Sequence, residues 1–237
     1  MTRILEPELL DHLPPNDSRA VRSRADLRRL NKLMRHAPLF TVTLLKNFPQ
    51  PPKRIADIGA GDGMLSLQIA TRTSWRGVQL VLIDQQNVVS APTLARFQEM
   101  DWRVEIVTGD VFDWAAKTPT MDCVIANLFL HHFSDEKLSS LFRVLAPKAT
   151  VFIACETRRS ALAIAMSRLV GLIGCNSVTR HDAVLSMKSG FSDRELSSLW
   201  PTRADWNLEE KCAMMVTHLF VASRKSGDSS GALEYDI

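Results

Sequence analysis

One stretch of ten residues, Arg54-Ile-Ala-Asp-Ile-Gly-Ala-Gly-Asp-Gly63, constrains the fold more than any other part of the chain. A run apolar enough for a buried strand enters a turn holding Gly59, Gly61 and Gly63, and a helical pattern begins at once with Met64. Glycine permits positive φ and lets a ligand approach the backbone with no side chain between them. A helix starting beside Gly63 presents free N–H groups and the positive end of its dipole, so the turn suits an anionic small molecule. Spacing narrows the choice. A dinucleotide fingerprint, G-x-G-x-x-G, needs its third glycine at position 64, where this chain has Met64.

From Arg54 onward, short apolar runs alternate with helical segments, the pattern of a parallel sheet covered on both faces. Strands are expected at Arg54–Ile58, Gln79–Asp84, Arg103–Val107, Asp122–Ala126 and Thr150–Cys155. Helices are expected at Met64–Arg72, Ala91–Met100 and Asp135–Leu145, the last capped by Ser134. Leu208–Met214 and Thr217–Ser223 are too close together for a crossover helix, so this last pair is read as antiparallel. The expected fold class is therefore α/β, a doubly wound, mostly parallel seven-stranded sheet with an antiparallel last strand.

Two additions flank that sheet. Residues 1–46 form an N-terminal helical segment. Within it, Arg19, Arg22, Arg24, Arg28, Arg29, Lys32 and Arg35 face a single acid, Asp26, and Leu27, Leu30 and Met34 recur at helical spacing. Three prolines between Asn47 and Pro52 end that segment, and the main domain is placed at 47–225. Strand alternation lapses at about 156–205, which is read as a helical lid over the carboxyl edge of the sheet. In the lid, Ala161 to Cys175 reads as a helix, and Ser192-x-x-Glu195 as a capping box for a short helix closed by Trp200-Pro201. The tail, 226–237, is Gly/Ser-rich and is expected to be disordered.

The G-x-G-x-G turn preceded by Asp57 resembles the first motif of the class I S-adenosylmethionine (SAM) dependent methyltransferases, whose fold is Rossmann-like. The resemblance covers about residues 50 to 155 and continues at three further stations. Asp84, followed by Gln85, ends Leu80-Val-Leu-Ile-Asp84, where the family holds the ribose hydroxyls. A carboxylate suits vicinal hydroxyls because each oxygen accepts a hydrogen bond. Asp110 and Val111 in Thr108-Gly-Asp-Val111 stand where the family meets the adenine. Asn127, in Ala126-Asn-Leu-Phe-Leu-His-His-Phe133, stands where it lines the methionine portion. The resemblance thus implies SAM as cofactor, with Asp57, Gly59, Ala60, Gly61, Gly63, Asp84, Gln85, Asp110, Val111 and Asn127 around it. Asp57 is equally read as orienting the loop through backbone hydrogen bonds without touching ligand.

Transfer from a sulfonium is an in-line displacement that needs neither a metal nor a covalent intermediate. A weakly acidic acceptor gains from a general base, and His132 or His131 follows the fourth strand at the cofactor edge. His132 better matches the histidine that many small-molecule methyltransferases carry there. Both histidines are equally read as orienting the loop or lining the pocket. No further His or acid has metal-motif spacing beyond Asp135, and no metal is expected.

Acceptor identity rests partly on what is missing. Asn127 is followed by Leu128-Phe129 in place of the D/N-P-P-Y/F segment of amino-methylating nucleic-acid enzymes, and no Pro-Cys nucleophile motif occurs. An apolar lid with Leu162, Ile164, Met166, Leu169 and Leu172 suits a hydrophobic substrate, with Arg158, Arg159 or Arg168 for an anionic group and His181-Asp182 as a second dyad. Arg158 and His181 are accordingly the candidate substrate contacts. Arg24-Ala-Asp-Leu-Arg-Arg-Leu-Asn31 and Thr179-Arg-His-Asp-Ala-Val-Leu-Ser-Met-Lys-Ser-Gly-Phe191 resemble segments of methyltransferases associated with type III polyketide synthases, and the chain is also similar to the quinone-biosynthesis kind. That placement implies Arg28, Arg29 and Asn31 closing over the cofactor.

The expected activity is methylation of a small, partly hydrophobic hydroxylated metabolite, at oxygen before carbon. The alternatives are an RNA or protein methyltransferase using the basic helix, and a SAM-binding protein without turnover. A net charge of +3 is too slight to imply nucleic-acid or membrane binding by the whole molecule. The longest apolar stretch spans only 15 residues, contains Arg168 and is too short for a bilayer. Cys123, Cys155, Cys175 and Cys212 lack any C-x-x-C and read as buried free thiols in a reducing compartment. With Glu6, Glu8 and Asp11 where a signal peptide needs a basic flank, the expected location is cytoplasmic.

Overall fold

The computed structural model describes residues 1–201 and 203–225. Three helices come first: α1 (Leu9–His12), α2 (Ser18–Leu33) and α3 (His36–Asn47). The alternating part follows as β1 (Arg54–Ile58), α4 (Met64–Thr73), β2 (Gln79–Asp84), α5 (Ala91–Glu99), β3 (Arg103–Thr108), α6 (Val111–Lys117), β4 (Met121–Asn127), α7 (Asp135–Leu145) and β5 (Ala149–Thr157). Then come α8 (Ala161–Ser167), α9 (Ser177–Ser189), α10 (Glu195–Leu199), β6 (Trp206–Ala213) and β7 (Thr217–Arg224).

The sheet has seven strands in the order β3-β2-β1-β4-β5-β7-β6. The first five are parallel, and β7 runs antiparallel to both neighbours. Strand order reverses between β1 and β4, so the carboxyl ends of β1, β2 and β4 border the crevice where such sheets take ligands. Near-continuous apolar burial of β1, β2, β4 and β5 is what two helix-covered faces require. Phe142, Phe152, Trp200 and Phe220 fill the core on one side, and Phe40, Leu44, Phe97 and Trp102 on the other.

Several local expectations are corrected. On the N-terminal helix Leu27, Leu30 and Met34 are only half-buried, and the fully buried residues are Ala20, Ser23 and Asp26. Asp26 Oδ2 accepts from Asn176 N at 2.8 Å and from the Thr179 hydroxyl at 3.1 Å, and Ser23 Oγ lies 2.8 Å from Thr179 Oγ1. Hydrogen bonds to α9 therefore set the helix face, which an apolar period does not reveal. Ala161–Cys175 is not one helix. After α8 the chain tightens into a single 3₁₀ turn at Val170–Ile173, closed by Gly174 at φ +79°. The capping box is half formed: Glu195 Oε2 accepts from Ser192 N at 2.9 Å, while Ser192 Oγ accepts from Arg159. Helix α6 had no counterpart among the expected elements, being only seven residues with two of them buried. Cys212 is exposed and so departs from the buried thiols expected, while Cys123, Cys155 and Cys175 are buried and free. The segment 226–237 lies outside the described residues.

Candidate functional site

The glycine turn is held by the strand beside it. Ile83 O accepts from Gly59 N at 2.9 Å and from Ala60 N at 3.0 Å, so the bend copies the end of β2. Gly59 has φ +71°, and a Cβ there would come within 2.8 Å of Phe129 Cβ and closer still to its ring. Asp84 works on both sides of the crevice. Its Oδ2 accepts from Gly61 N at 2.9 Å and its Oδ1 from Gln86 N at 3.0 Å. A carboxylate has about four acceptor positions, so about two remain for a ligand. Below the turn, Asp57 is 1% exposed and accepts from the Ser66 hydroxyl at 2.6 Å. Burial pushes its carboxyl up to about 7, with Ser66 opposing and Asp84 assisting.

A cavity of about 450 Å³ opens over this turn, lined among others by Asp57, Gly59, Asp84, Asn127, His131 and His132. Its roof is α2, which contributes Arg24, Leu27, Arg28 and Asn31, and Arg28 is ion-paired to Asp62 of the glycine turn. Asn127 Nδ2 reaches Asn31 Oδ1 at 3.4 Å, and the Asn127 side chain, its Oδ1 buried, also faces the ring of His36. The spare positions on Asp84 are acceptors suited to the vicinal hydroxyls of the cofactor that the sequence resemblance implies.

At the other end of the cavity, the turn after β4 is strapped to β5 by one buried acid. Leu128, at φ +51°, turns the chain, and Glu156 Oε1 accepts from Phe129 N at 3.0 Å and Leu130 N at 2.8 Å. The other oxygen of Glu156 lies 2.7 Å from His131 Nδ1. On the far side of that ring, Glu8 Oε1 is 3.4 Å from Nε2. Burial alone would drive a proton off His131, yet the hydrogen bond to Glu156 and the facing carboxylate of Glu8 win, holding it up to about 9. His132, with ring centroid 4.3 Å from that of His131, moves the opposite way, down, through burial and then the charge next door. Its Nδ1 lies 3.4 Å from Asp11 Oδ2. The pair is thus one charged and one neutral imidazole at neutral pH.

Glu8 and Asp11 arrive from α1 and the residue before it, which α9 fixes in place. Asp182 accepts from Leu9 N at 2.9 Å and Leu10 N at 3.0 Å, capping α1, while Ser186 donates to Glu8. Sequence reasoning passed over Glu8, Asp11 and Glu156. A charged residue closing the apolar run Thr150–Cys155 was the available signal for Glu156. No spacing signals Glu8, which lies more than a hundred residues from the histidines.

Of the residues singled out from sequence, Asp57, Gly59, Ala60, Gly61, Asp84, Gln85, Asn127, His131 and His132 line this cavity, as do Arg28 and Asn31. Gly63 starts α4 beneath the turn. Asp110 and Val111 follow Gly109, whose N–H donates to Asp84 O at 3.0 Å, but neither lines the cavity of about 450 Å³. The Asp110 carboxylate caps α6 by accepting from Phe112 N and lines a second cavity of about 410 Å³ with Glu105 and Trp114, while Val111 is buried in the core. Arg29 pairs with Asp26 and is not brought to the cavity. Nor is Arg158, whose Nη1 is 2.7 Å from Cys212 Sγ, nor His181, whose side chain is 49% exposed beside Asp182. Arg159 is spent on Glu195, Ser192 and the Gly190 carbonyl. The lid leucines do not cover the cavity either: Leu162, Leu169 and Leu172 are exposed, Leu172 at 83%. The lid reaches the cavity through Ser186.

Residues 55–148 match the family model described as a methyltransferase domain. Among curated proteins, the chain is 28% identical over 116 residues to O-methyltransferase 12 of Dictyostelium discoideum, an alignment covering 47% of this chain and 29% of that protein. It is 31% identical over 78 residues to a tRNA1(Val) (adenine(37)-N6)-methyltransferase of Escherichia coli, covering 32% of this chain and 31% of that one. The chain spans less than a third of the length of these relatives. Among solved structures, the plantazolicin methyltransferase BpumL in complex with SAH superposes with a TM-score of 0.66 at 14% identity, covering 89% of this chain and 92% of that one. Among the described residues, no helix is long and apolar enough to cross a membrane.

Proposed function

We propose that this chain, which carries a class I methyltransferase domain, transfers a methyl group from SAM to an oxygen of a small, partly hydrophobic hydroxylated metabolite. The observation that carries this reading is one cavity joining the glycine turn and Asp84 to the paired rings of His131 and His132.

SAM supplies an activated methyl carbon on a sulfonium. The chain's own residues do the rest. Asp84 offers its spare acceptor positions to vicinal hydroxyls. Arg28 and Asn31 close the roof and limit water. Burial first, and then the charge on His131, lower the pKa of His132, so its ring is disposed to accept a proton from an acceptor hydroxyl. Glu156 holds the turn that presents both rings. Phe129, Phe133, Leu10 and Leu27 supply the apolar part of the wall. Oxygen is favoured over carbon because a neutral imidazole at the cavity end matches the modest acidity of a phenol or enol.

The test is unbiased mass spectrometry of a cell extract incubated with purified protein and SAM. It seeks hydroxylated metabolites that gain the mass of a methyl replacing a hydrogen. For His132→Ala, turnover on the product so found should fall by about 10²-fold or more, with affinity for the demethylated cofactor unchanged. Unchanged turnover would remove His132 from the reaction, and transfer confined to RNA or protein would overturn the substrate class.

A further inference from the structure

The acceptor end of the cavity holds more ligating groups than a proton transfer uses. Glu8, His131 and His132 each offer one ligand atom, and these atoms all lie within 4.8 Å of one another. His131 Nδ1 is committed to Glu156 at 2.7 Å, which fixes the ring and directs Nε2 toward Glu8. That Nε2 is buried, and Glu8 Oε1 faces it at 3.4 Å, beyond the ordinary N–H···O length. Two ligands each about 2.1 Å from a tetrahedral cation stand about 3.4 Å apart, which is the separation seen here. A carboxylate behind a ligating imidazole, the place of Glu156, is the usual support for such a ring.

We propose that Glu8, His131 and His132 form a site for a zinc-class divalent cation at the acceptor end of the cavity, with its fourth position open to an acceptor oxygen. One carboxylate and two imidazoles are a donor set that suits Zn²⁺ over Mg²⁺ or Ca²⁺. The buried carboxylates of Glu8 and Glu156, with Asp11 close by, supply the negative charge that offsets the cation. In the loaded form both histidines would be ligands, and the second proton that His131 carries in the cation-free form would leave to water as the cation binds. The cation would then hold the acceptor hydroxyl through its oxygen, and the hydroxyl proton would go to water before the oxygen attacks. In the cation-free form His132 takes that proton itself. The role toward the acceptor rests on the methyl-transfer reading above, whereas cation binding does not.

The experiment is calorimetric titration of chelator-stripped protein with ZnCl2, with binding of S-adenosylhomocysteine measured in parallel on the same samples. The expected result is one Zn²⁺ per chain. Affinity should fall at least about 10-fold in Glu8→Gln and in His132→Gln, and about 10- to 100-fold in Glu156→Gln. Cys212→Ser, which removes the exposed thiol, should leave it unchanged. Absence of saturable one-to-one binding would overturn the site, as would binding that survives Glu8→Gln and His132→Gln but is lost in Cys212→Ser. The homocysteine arm separates the two claims. Nucleoside binding without zinc binding defeats the cation site alone, and zinc binding without nucleoside binding defeats the methyl-transfer reading alone. Nucleoside affinity retained in each variant also shows that the fold is intact.

Discussion

Replacing Asp84 tests whether one carboxylate both shapes the glycine turn and grips the cofactor. Its two oxygens already accept from Gly61 N and Gln86 N, leaving about two acceptor positions toward the cavity. Each hydrogen bond to a charged acceptor contributes about 1.5–3 kcal/mol, so two contacts to vicinal hydroxyls amount to about 3–6 kcal/mol. At about 1.4 kcal/mol per tenfold, Asp84→Ala should weaken binding of S-adenosylhomocysteine by roughly 10²- to 10⁴-fold. Asp84→Asn should be nearly as weak despite its matching shape. An amide has one oxygen, so its NH2 must point at the N–H of either Gly61 or Gln86, donor against donor. Isothermal calorimetry on all three proteins, with melting temperatures as the control for folding, reads this directly. A folded Asp84→Ala protein within about threefold of the parent, or an Asp84→Asn protein that binds normally, would refute the reasoning.

Two further outcomes follow from the same turn. Gly59→Ala must adopt a left-handed conformation costing about 1–2 kcal/mol and must displace Phe129, whose N–H is pinned to Glu156. With the repacking cost, the melting temperature should drop by about 5–10 °C in a thermal scan, and an unchanged value would contradict the close approach described. Asp57 is raised to about 7 in the folded chain against a reference of 3.8, so between these values the folded state holds a proton that the unfolded state has lost. Its contribution therefore falls as pH rises through that window and levels off above it. Asp57→Asn keeps an acceptor for Ser66 and stays neutral. It should gain stability over the parent by a few kcal/mol between pH 4 and pH 8 in urea unfolding, and a gap that does not change with pH would sink the argument.

The sheet was legible because buried parallel strands write themselves as continuous apolar runs, and Arg54–Ile58 and Gln79–Asp84 are found with the bounds read from sequence. The glycine turn was legible for the same local reason. What escaped is non-local. Asp26 looked like the lone acid on a basic solvated helix, yet it is 2% exposed and joins α2 to the start of α9, some 150 residues away. Arg158 and His181 have the chemistry and the lid position of substrate contacts, but which way a lid side chain faces depends on packing that no spacing encodes. The same holds for Leu162 and Leu172, whose apolar character suggested a cover for the cavity and whose side chains face outward. Glu8 and Asp11 served only as an argument about export. Their placement over the histidines comes from Asp182 capping α1.

The bond set between Ser23, Asp26, Thr179 and Asn176 ties the roof of the nucleoside end to the helix that anchors Glu8 and Asp11. On the proposed methyl-transfer reading, hold on the donor and choice of recipient would share one jointed piece of chain. A change in α9 that admits a bulkier recipient also loosens α2 above the glycine turn. Variation that retunes one half of this pocket without the other has to leave that polar seam untouched.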